Sequence, residues 1–400
     1  MAFFFITAVS VLICIYLYVG LRLIKPAPMG PILRILAWTL WGLCLVSMPL
    51  SIAARYQFPL HAVATPLAWF AYISFGLFTL ILPALLLRDG FLVLGRLAKP
   101  KKKNPAQGSG SGAWNPSRRL FLLNSTNAAI LGVTGSMAGY GVAQAVQAPP
   151  IKTVDVPIAH LPEVFEGFRI LQITDLHVSL TVKADYVKRV VERAAGQGAD
   201  VVVFTGDMAD GPAHELGKEA APLAELKGRW GKYFVTGNHE YYSGVKGWLD
   251  VARQLGFTPL INSHVLIETR GAELVLAGIT DYRAHTLVPS HLSNPEAALV
   301  NTRPDQVRIL LAHQPKSIFQ AAPLGVDLMI SGHTHGGQYL PWNFMVPLDQ
   351  PYVHGLHKRG KTQIYVSRGT GYWGPPMRIG APSEITVLRL VKARSDELGA

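Results

Sequence analysis

The sequence predicts two parts in series: an apolar, all-helical N-terminal region, then an α/β domain of two facing β-sheets with helices outside. Three observations predict it. Long charge-poor stretches fill the first 90 residues. A basic, Gly/Ser-rich break follows at about residue 100. From Phe168 onward, short β-rich runs first alternate with helical patterns and then recur without them. The boundaries read from these changes are 1–98 for three apolar spans, 99–116 for a linker, 117–150 for a further apolar segment and 151–400 for the domain.

Composition supports the division. The 400 residues are 50% hydrophobic and only 16% charged, against about 25% charged in an ordinary soluble domain. Twelve of the 37 Lys+Arg precede residue 151, but only one of the 25 acids does, Asp89. The net charge of +12 therefore belongs almost wholly to the first part, where cations flank apolar spans and set membrane orientation. The second part is close to neutral, which argues against a nucleic-acid groove there. Both cysteines, Cys14 and Cys44, lie in apolar spans, so the domain holds no disulfide and no thiolate metal site.

The spans read as Ala2–Ile24, Pro31–Ala54 and Ala62–Leu87, each about the 20 residues that cross a bilayer core as a helix. Lys99–Lys103 and the Asn104–Gly112 run read as a flexible linker. Ser117-Arg118-Arg119-Leu120-Phe121-Leu122 then precedes a weaker apolar run to about Ala145. Two readings stand: an internal twin-arginine export signal, with an Ala-x-Ala cleavage pattern at Ala143–Ala145, or a fourth membrane helix. Both give one topology. The basic loops around Arg22/Lys25/Arg34 and Lys99–Arg119 are cytoplasmic, and the domain is on the outer face of a bacterial inner membrane.

In the domain, Arg169–Thr174, Val201–Thr205, Lys232–Val235, Leu274–Ala277, Arg308–Leu311, Asp327–Ile330, Gln363–Val366 and Glu384–Leu390 read as strands. Val182–Ala195, Glu215–Leu226 and Val245–Leu255 read as helices. Polar clusters sit where strands end, the place where open α/β sheets bind ligands: Asp175-Leu-His177, Gly206-Asp207-Met-Ala-Asp210, Gly237-Asn238-His239-Glu240, His313, and Gly332-His333-Thr334-His335. Each strand delivers one or two metal-capable side chains and then turns, often at glycine.

Those residue types suit one kind of chemistry. A phosphate ester is anionic and repels hydroxide. Two cations about 3.5–4 Å apart activate a water, neutralise phosphoryl oxygens and hold the group in line. Such a pair needs a bridging carboxylate and N/O ligands. With no thiolate present, the set favours Mn, Fe or Zn.

The ordered blocks resemble the calcineurin-like metallophosphoesterases, over about Phe168–Leu390. Gly369-Thr-Gly371 and Pro375-Pro-Met-Arg378, with the apolar spans, look like a bacterial membrane-anchored branch. The resemblance implies a calcineurin-like two-sheet β-sandwich flanked by helices. It further implies two divalent metal ions: Asp175, His177 and His335 at one, Asn238, His313 and His333 at the other, Asp207 bridging. His239 stands beside them as the catalytic histidine, donating to the phosphoryl or leaving-group oxygen, while a metal-bridging hydroxide attacks. Asp210 and Glu240 would orient histidines, Asp210 alternatively making a structural hydrogen bond, and Arg378 would either face the phosphate or be structural. His160, His214, His264, His285, His291, His354 and His357 fall outside the blocks and read as ordinary surface or loop residues.

The substrate class is less constrained, because this chemistry serves monoesters, diesters and pyrophosphates. The spans put a membrane- or envelope-associated phosphate ester within reach, lipid-linked ones among them. Tyr339-Leu-Pro-Trp-Asn-Phe-Met-Val-Pro347 follows the ligand histidines. Its Trp342, Phe344 and Met345 either hold an acyl chain or the bilayer interface, or simply pack on the domain. An anchored phosphodiesterase for a soluble substrate and a non-catalytic metal-binding envelope module are the alternatives.

Overall fold

The computed structural model describes residues 2–56, 61–97 and 116–393. Of the expected linker, all but Pro116 lies outside the described residues. The chain forms two compact units, Met1–Tyr140 and Gly141–Ala400.

The first unit holds helices α1 (Ala2–Leu23), α2 (Pro31–Tyr56), α3 (His61–Leu97) and most of α4 (Pro116–Val146). Among the described residues three segments are long and apolar enough to cross a membrane: Pro31–Ala54, Val63–Gly95 and Ser117–Val146. Val9–Leu23 is a shorter apolar helix. Their large side chains are mostly exposed, as lipid-facing residues are. The third helix runs ten residues past the expected Leu87, because Arg88 and Asp89 are absorbed rather than ending it. Asp89 pairs with Arg22 and Arg88, both at 2.7 Å, and accepts from Tyr18 Oη at 2.8 Å. Tyr16 stacks on Phe78 at 4.0 Å, and Trp41 Nε1 donates to the Tyr16 carbonyl at 2.9 Å.

The second unit contains two six-stranded sheets. The first has strand order β1-β12-β2-β3-β4-β5, with β1 Ile151–Ile158, β2 Arg169–Ile173, β3 Val201–Thr205, β4 Lys232–Val235, β5 Thr258–Pro259 and β12 Ile385–Lys392. The second has order β10-β11-β9-β8-β7-β6, with β6 Ser263–Thr269, β7 Ala272–Gly278, β8 Val307–Leu311, β9 Leu328–Ser331, β10 Gly355–Arg359 and β11 Thr362–Val366. In the first, β2 to β5 run parallel; in the second, β7, β8, β9 and β11 do. The α/β two-sheet sandwich expected from the sequence is what forms.

The period-2 alternation of strands builds the layers. Ile170, Val201, Val203 and Val235 face Leu274, Leu276, Ile309, Leu311, Leu328 and Ile330 between the sheets. Leu171, Val202, Phe204 and Phe234 point the other way, onto α5 (Ala184–Ala194) and the helix over Val245–Gln254, through Val187, Val190, Trp248 and Ala252. A buried polar side chain also reaches from one sheet to the other. Gln172 Nε2 donates to Thr205 Oγ1 at 2.8 Å and to the Ser331 carbonyl at 2.9 Å, tying the sheets together where their parallel strands end.

One helix differs from expectation. Glu215–Leu226 is not continuous α-helix: a short α6 (Ala213–Leu216) passes into a 3-10 stretch, Gly217–Glu225, with Pro222 inside it. Pro lacks the N–H an α-turn needs, and Gly217 weakens the helix further. Strands β1, β5, β6 and β10 were not expected. β1 and β10 are edge strands with mixed burial patterns, so neither shows an uninterrupted apolar run.

Candidate metal centre

Strands β2, β3, β4, β8 and β9 end at one edge of the sandwich, and each releases polar side chains there. Asp175 and His177 follow β2, Asp207 follows β3, His313 follows β8, and His333 and His335 follow β9. Asn238 opens α7 (Asn238–Tyr242) after β4. Strands fix direction to a fraction of a turn, so residues 158 positions apart in sequence are brought to hydrogen-bond distance: His177 Nε2 and His335 Nε2 lie 3.0 Å apart.

Three constellations form, each with donor atoms within 4.8 Å of one another: Asp175, His177, His335; Asp207, His313, His333; and His177, Asp210, His239. The first holds the three residues expected at one ion, and the second joins the expected bridging Asp207 to two of the three expected at the other, His313 and His333. Asp207 sits between them, its Oδ2 3.0 Å from His313 Nε2 and 3.8 Å from His177 Nε2. Asn238 is nearly buried, and its Oδ1 has no hydrogen-bond partner. A buried amide oxygen left without a donor carries a desolvation cost, and a cation removes it. The donor set of imidazoles, carboxylates and one amide oxygen fits hard to borderline divalent ions. The residues present therefore fit the metal ions that the sequence implies.

Backbone geometry explains why the glycines recur. A Cβ on Gly237 would collide with the Asp207 carboxylate, and one on Gly332 with that of Asp175. These glycines let carboxylates lie directly on main chain. Five of the seven candidate ligands also hold left-handed backbone: Asp175 (φ 52°), His177 (52°), Asp207 (56°), His333 (73°) and His335 (51°). Each such non-glycine conformation costs about 1–3 kcal/mol, and strain of this kind concentrates at functional sites.

Hydrogen bonds fix the ring orientations. His313 Nδ1 donates to the Thr205 carbonyl at 2.7 Å, which frees Nε2 toward Asp207. His177 Nδ1 meets Asp210 Oδ1 at 2.8 Å, freeing its Nε2 as well. The same Asp210 oxygen lies 2.6 Å from His239 Nδ1, so one carboxylate orients a candidate ligand and the candidate catalytic histidine. His239 is not among the close donors around Asp175 or Asp207, although its amide donates to Asp207 Oδ1 at 2.9 Å. Its ring stands edge-on to Tyr242 at 5.3 Å and Trp373 at 5.8 Å, both exposed. That aromatic flank was missed in the sequence, since Trp373 lies 134 positions from His239.

The electrostatics call for positive charge. Burial alone would raise Asp207, but the imidazoles of His313, His239 and His177 outweigh it and hold the carboxyl well below the usual range. Burial would lower His313, yet Asp207 and Asp175 push it up to about 10. The field that favours a proton there also favours a cation. Burial pushes His333 down to about 3, and His313 adds to the shift. Burial and the Arg378 charge take His335 well down too, so both present neutral nitrogens.

One expectation changes and one alternative is narrowed. Glu240 orients no histidine. Its carboxylate accepts from the amides of Gly237 (2.6 Å), Met208 (2.7 Å) and Asp207 (3.0 Å), clamping two metal-site turns together. Of the two readings of Arg378, its surroundings fit the structural one. It is 1% exposed and donates to the carbonyls of His335, Arg368, Ala381 and Gly371, so its role is structural. The histidines outside the blocks stay outside the clusters: His264 bonds the Ala298 carbonyl and His291 the Tyr241 hydroxyl.

Comparison with known proteins agrees with this geometry. The profile of the calcineurin-like phosphoesterases matches residues 168–337. A transmembrane protein with metallophosphoesterase domain from Danio rerio is 33% identical over 88% of this chain and 81% of its own length. The chain belongs to the calcineurin-like metallophosphoesterases. Other metallophosphoesterase relatives include a transmembrane protein with metallophosphoesterase domain from Bos taurus, 38% identical over 70% of this chain and 67% of its own. An uncharacterized metallophosphoesterase from Helicobacter pylori is 37% identical over 69% and 73%. The expectation of a specifically bacterial branch is met only in part, because vertebrate relatives match as well as bacterial ones.

Proposed function

We propose that this metallophosphoesterase is a binuclear, metal-dependent phosphodiesterase or phosphatase acting on a membrane- or cell-envelope-associated phosphate ester. The observation that carries the reading is the convergence of Asp175, His177, His335 and of Asp207, His313, His333 beside the unpartnered Asn238 oxygen. Asp175, His177 and His335 would hold one ion, Asn238, His313 and His333 the other, and Asp207 both. The ions, Mn, Fe or Zn, would neutralise phosphoryl oxygens and supply an activated water.

The chain's own groups do the rest. In the metal-free chain Asp207 and Asp210 lift His239 against the lowering effect of burial, to about 9. Nδ1 is spent on Asp210, which leaves Nε2 to donate to a phosphoryl or leaving-group oxygen. Main chain clamped by Glu240 keeps Asp207 in register. The apolar helices favour a multi-pass membrane protein. The basic residues of the expected linker and Arg118-Arg119 favour a cytoplasmic start to α4 and hence an outer-face domain, in a bacterium the inner membrane. The Arg118-Arg119 pair is compatible with twin-arginine export.

The test is hydrolysis by the full chain in detergent, stripped of metal and reloaded with manganese. Turnover of bis(p-nitrophenyl) phosphate or p-nitrophenyl phosphate should return with metal and vanish in Asp207→Asn. Metal binding without turnover of any ester, lipid esters included, would favour the non-catalytic envelope module.

A further inference from the structure

We propose that the loop between Tyr339 and Gln350 is a bilayer-docking element that sets the mouth of the metal centre on the membrane surface. The substrate arm of this inference rests on the proposed function; the docking does not. Five large apolar side chains crowd into nine positions: Leu340, Trp342, Phe344, Met345 and Leu348, exposed by 36, 42, 68, 52 and 78%. No residue from Tyr339 to Leu348 is charged. Water-facing loops rarely show so dense an apolar run, whereas Trp, Phe and Leu together partition into the headgroup boundary.

The loop is held in this state at both ends. At its start Gln338, in left-handed backbone (φ 52°), accepts from the Trp373 amide at 2.9 Å. It donates to the carbonyls of Trp373 (2.9 Å) and Pro375 (3.1 Å). At its end Gln350 donates to Gln314 Oε1 at 3.2 Å and accepts from the Lys316 amide at 3.1 Å. Gln338 lies three residues after His335, and Gln314 adjoins His313. The loop is thus pinned to the metal-centre turns with its apolar side chains outward.

The bilayer is the occupant that the surroundings favour. The Gln338 carbonyl accepts from the Ile379 amide at 3.0 Å, and the neighbouring Arg378 amide donates to the Gly141 carbonyl at 3.0 Å. Gly141 packs so closely on Ile379 that a Cβ would stand 2.8 Å from its Cγ1. Gly141 belongs to the apolar segment Ser117–Val146. The loop and the end of a candidate membrane span therefore hang on the same two residues, Arg378 and Ile379. A soluble partner or a second copy has no such neighbour to explain it.

The experiment uses the full chain with Cys14 and Cys44 replaced by alanine, in vesicles of phosphatidylethanolamine and phosphatidylglycerol. An environment-sensitive fluorophore is placed at Phe344→Cys, Leu348→Cys or, as a control, Leu266→Cys on β6. Doxyl-labelled lipid should quench the two loop positions several-fold more than the control. Equal quenching at all three overturns the proposal, and that result together with loop-to-loop crosslinking would assign the surface to a second copy. In the double variant Phe344→Ser, Leu348→Ser, the turnover ratio of a long-chain phosphodiester in the vesicle to bis(p-nitrophenyl) phosphate should fall. An unchanged ratio overturns the substrate arm. Absence of turnover on both esters in the unmodified chain instead counts against the phosphoesterase reading, with quenching still deciding the docking.

Discussion

At the scale of single residues, Asp210 and Asn238 separate orientation from ligation. Asp210 touches two imidazoles. In metal-stripped protein, Asp210→Asn should lower the His239 pKa from about 9, read by NMR titration of the ring. The sign follows from the charges: an acid beside an imidazole favours its protonated form. The stability this gives is full below the unfolded value of about 6.5 and is lost as pH rises through the folded value. An unmoved His239 titration would remove Asp210 from the account. Asn238→Ala should release one of two bound ions without unfolding the domain, read by metal content beside a thermal melt. At this scale the sequence was most legible. All seven candidate ligands lie in strand-end clusters visible in the sequence, because each motif is local, and the family resemblance picked them out of those clusters. What it could not show was Asp210 serving two rings, or Gln338 and Trp373 meeting, since those contacts join loops brought together only by the sandwich.

At the scale of elements, the glycine turns are the sensitive parts. Gly237→Ala must displace the Asp207 carboxylate, so metal affinity should drop while the strands persist; retained two-metal binding would contradict that. Glu240→Ala leaves three buried amides without their acceptor, each worth about 1–3 kcal/mol. The domain should melt several degrees lower, and Glu240→Gln should recover part of the loss. The central strands were readable because burial on both faces makes them continuous apolar runs: Val201–Thr205 is buried at every position. Edge strands β1 and β10 were not, because exposed polar residues interrupt them. The Gly217–Glu225 segment misled because its apolar spacing resembles a helix that Pro222 forbids.

At the scale of the whole molecule, the remaining question is which side of a membrane the chemistry faces. The cations before residue 120 predict an outer-face domain. A periplasm-active reporter fused after Ala400 should give signal, and a cytoplasm-only signal would reverse the topology. Arg118-Arg119→Lys-Lys should block export if the pair acts as a twin-arginine signal, and leave it intact if it is only a helix flank. Ala145 is buried and belongs to the same hydrophobic core as Leu171 and Tyr372, so removal of the helix at that point would take core packing with it.

The proposed function requires two ions, both held by Asp207, to hydrolyse a phosphate ester here. Metal content and ester turnover measured on one preparation of the full chain test it most directly, with Asp207→Asn alongside. Two divalent ions per chain, turnover that tracks their occupancy, and loss of both in the variant are the expected result. Undiminished turnover in metal-stripped protein, or a variant that keeps two ions and full activity, would contradict it.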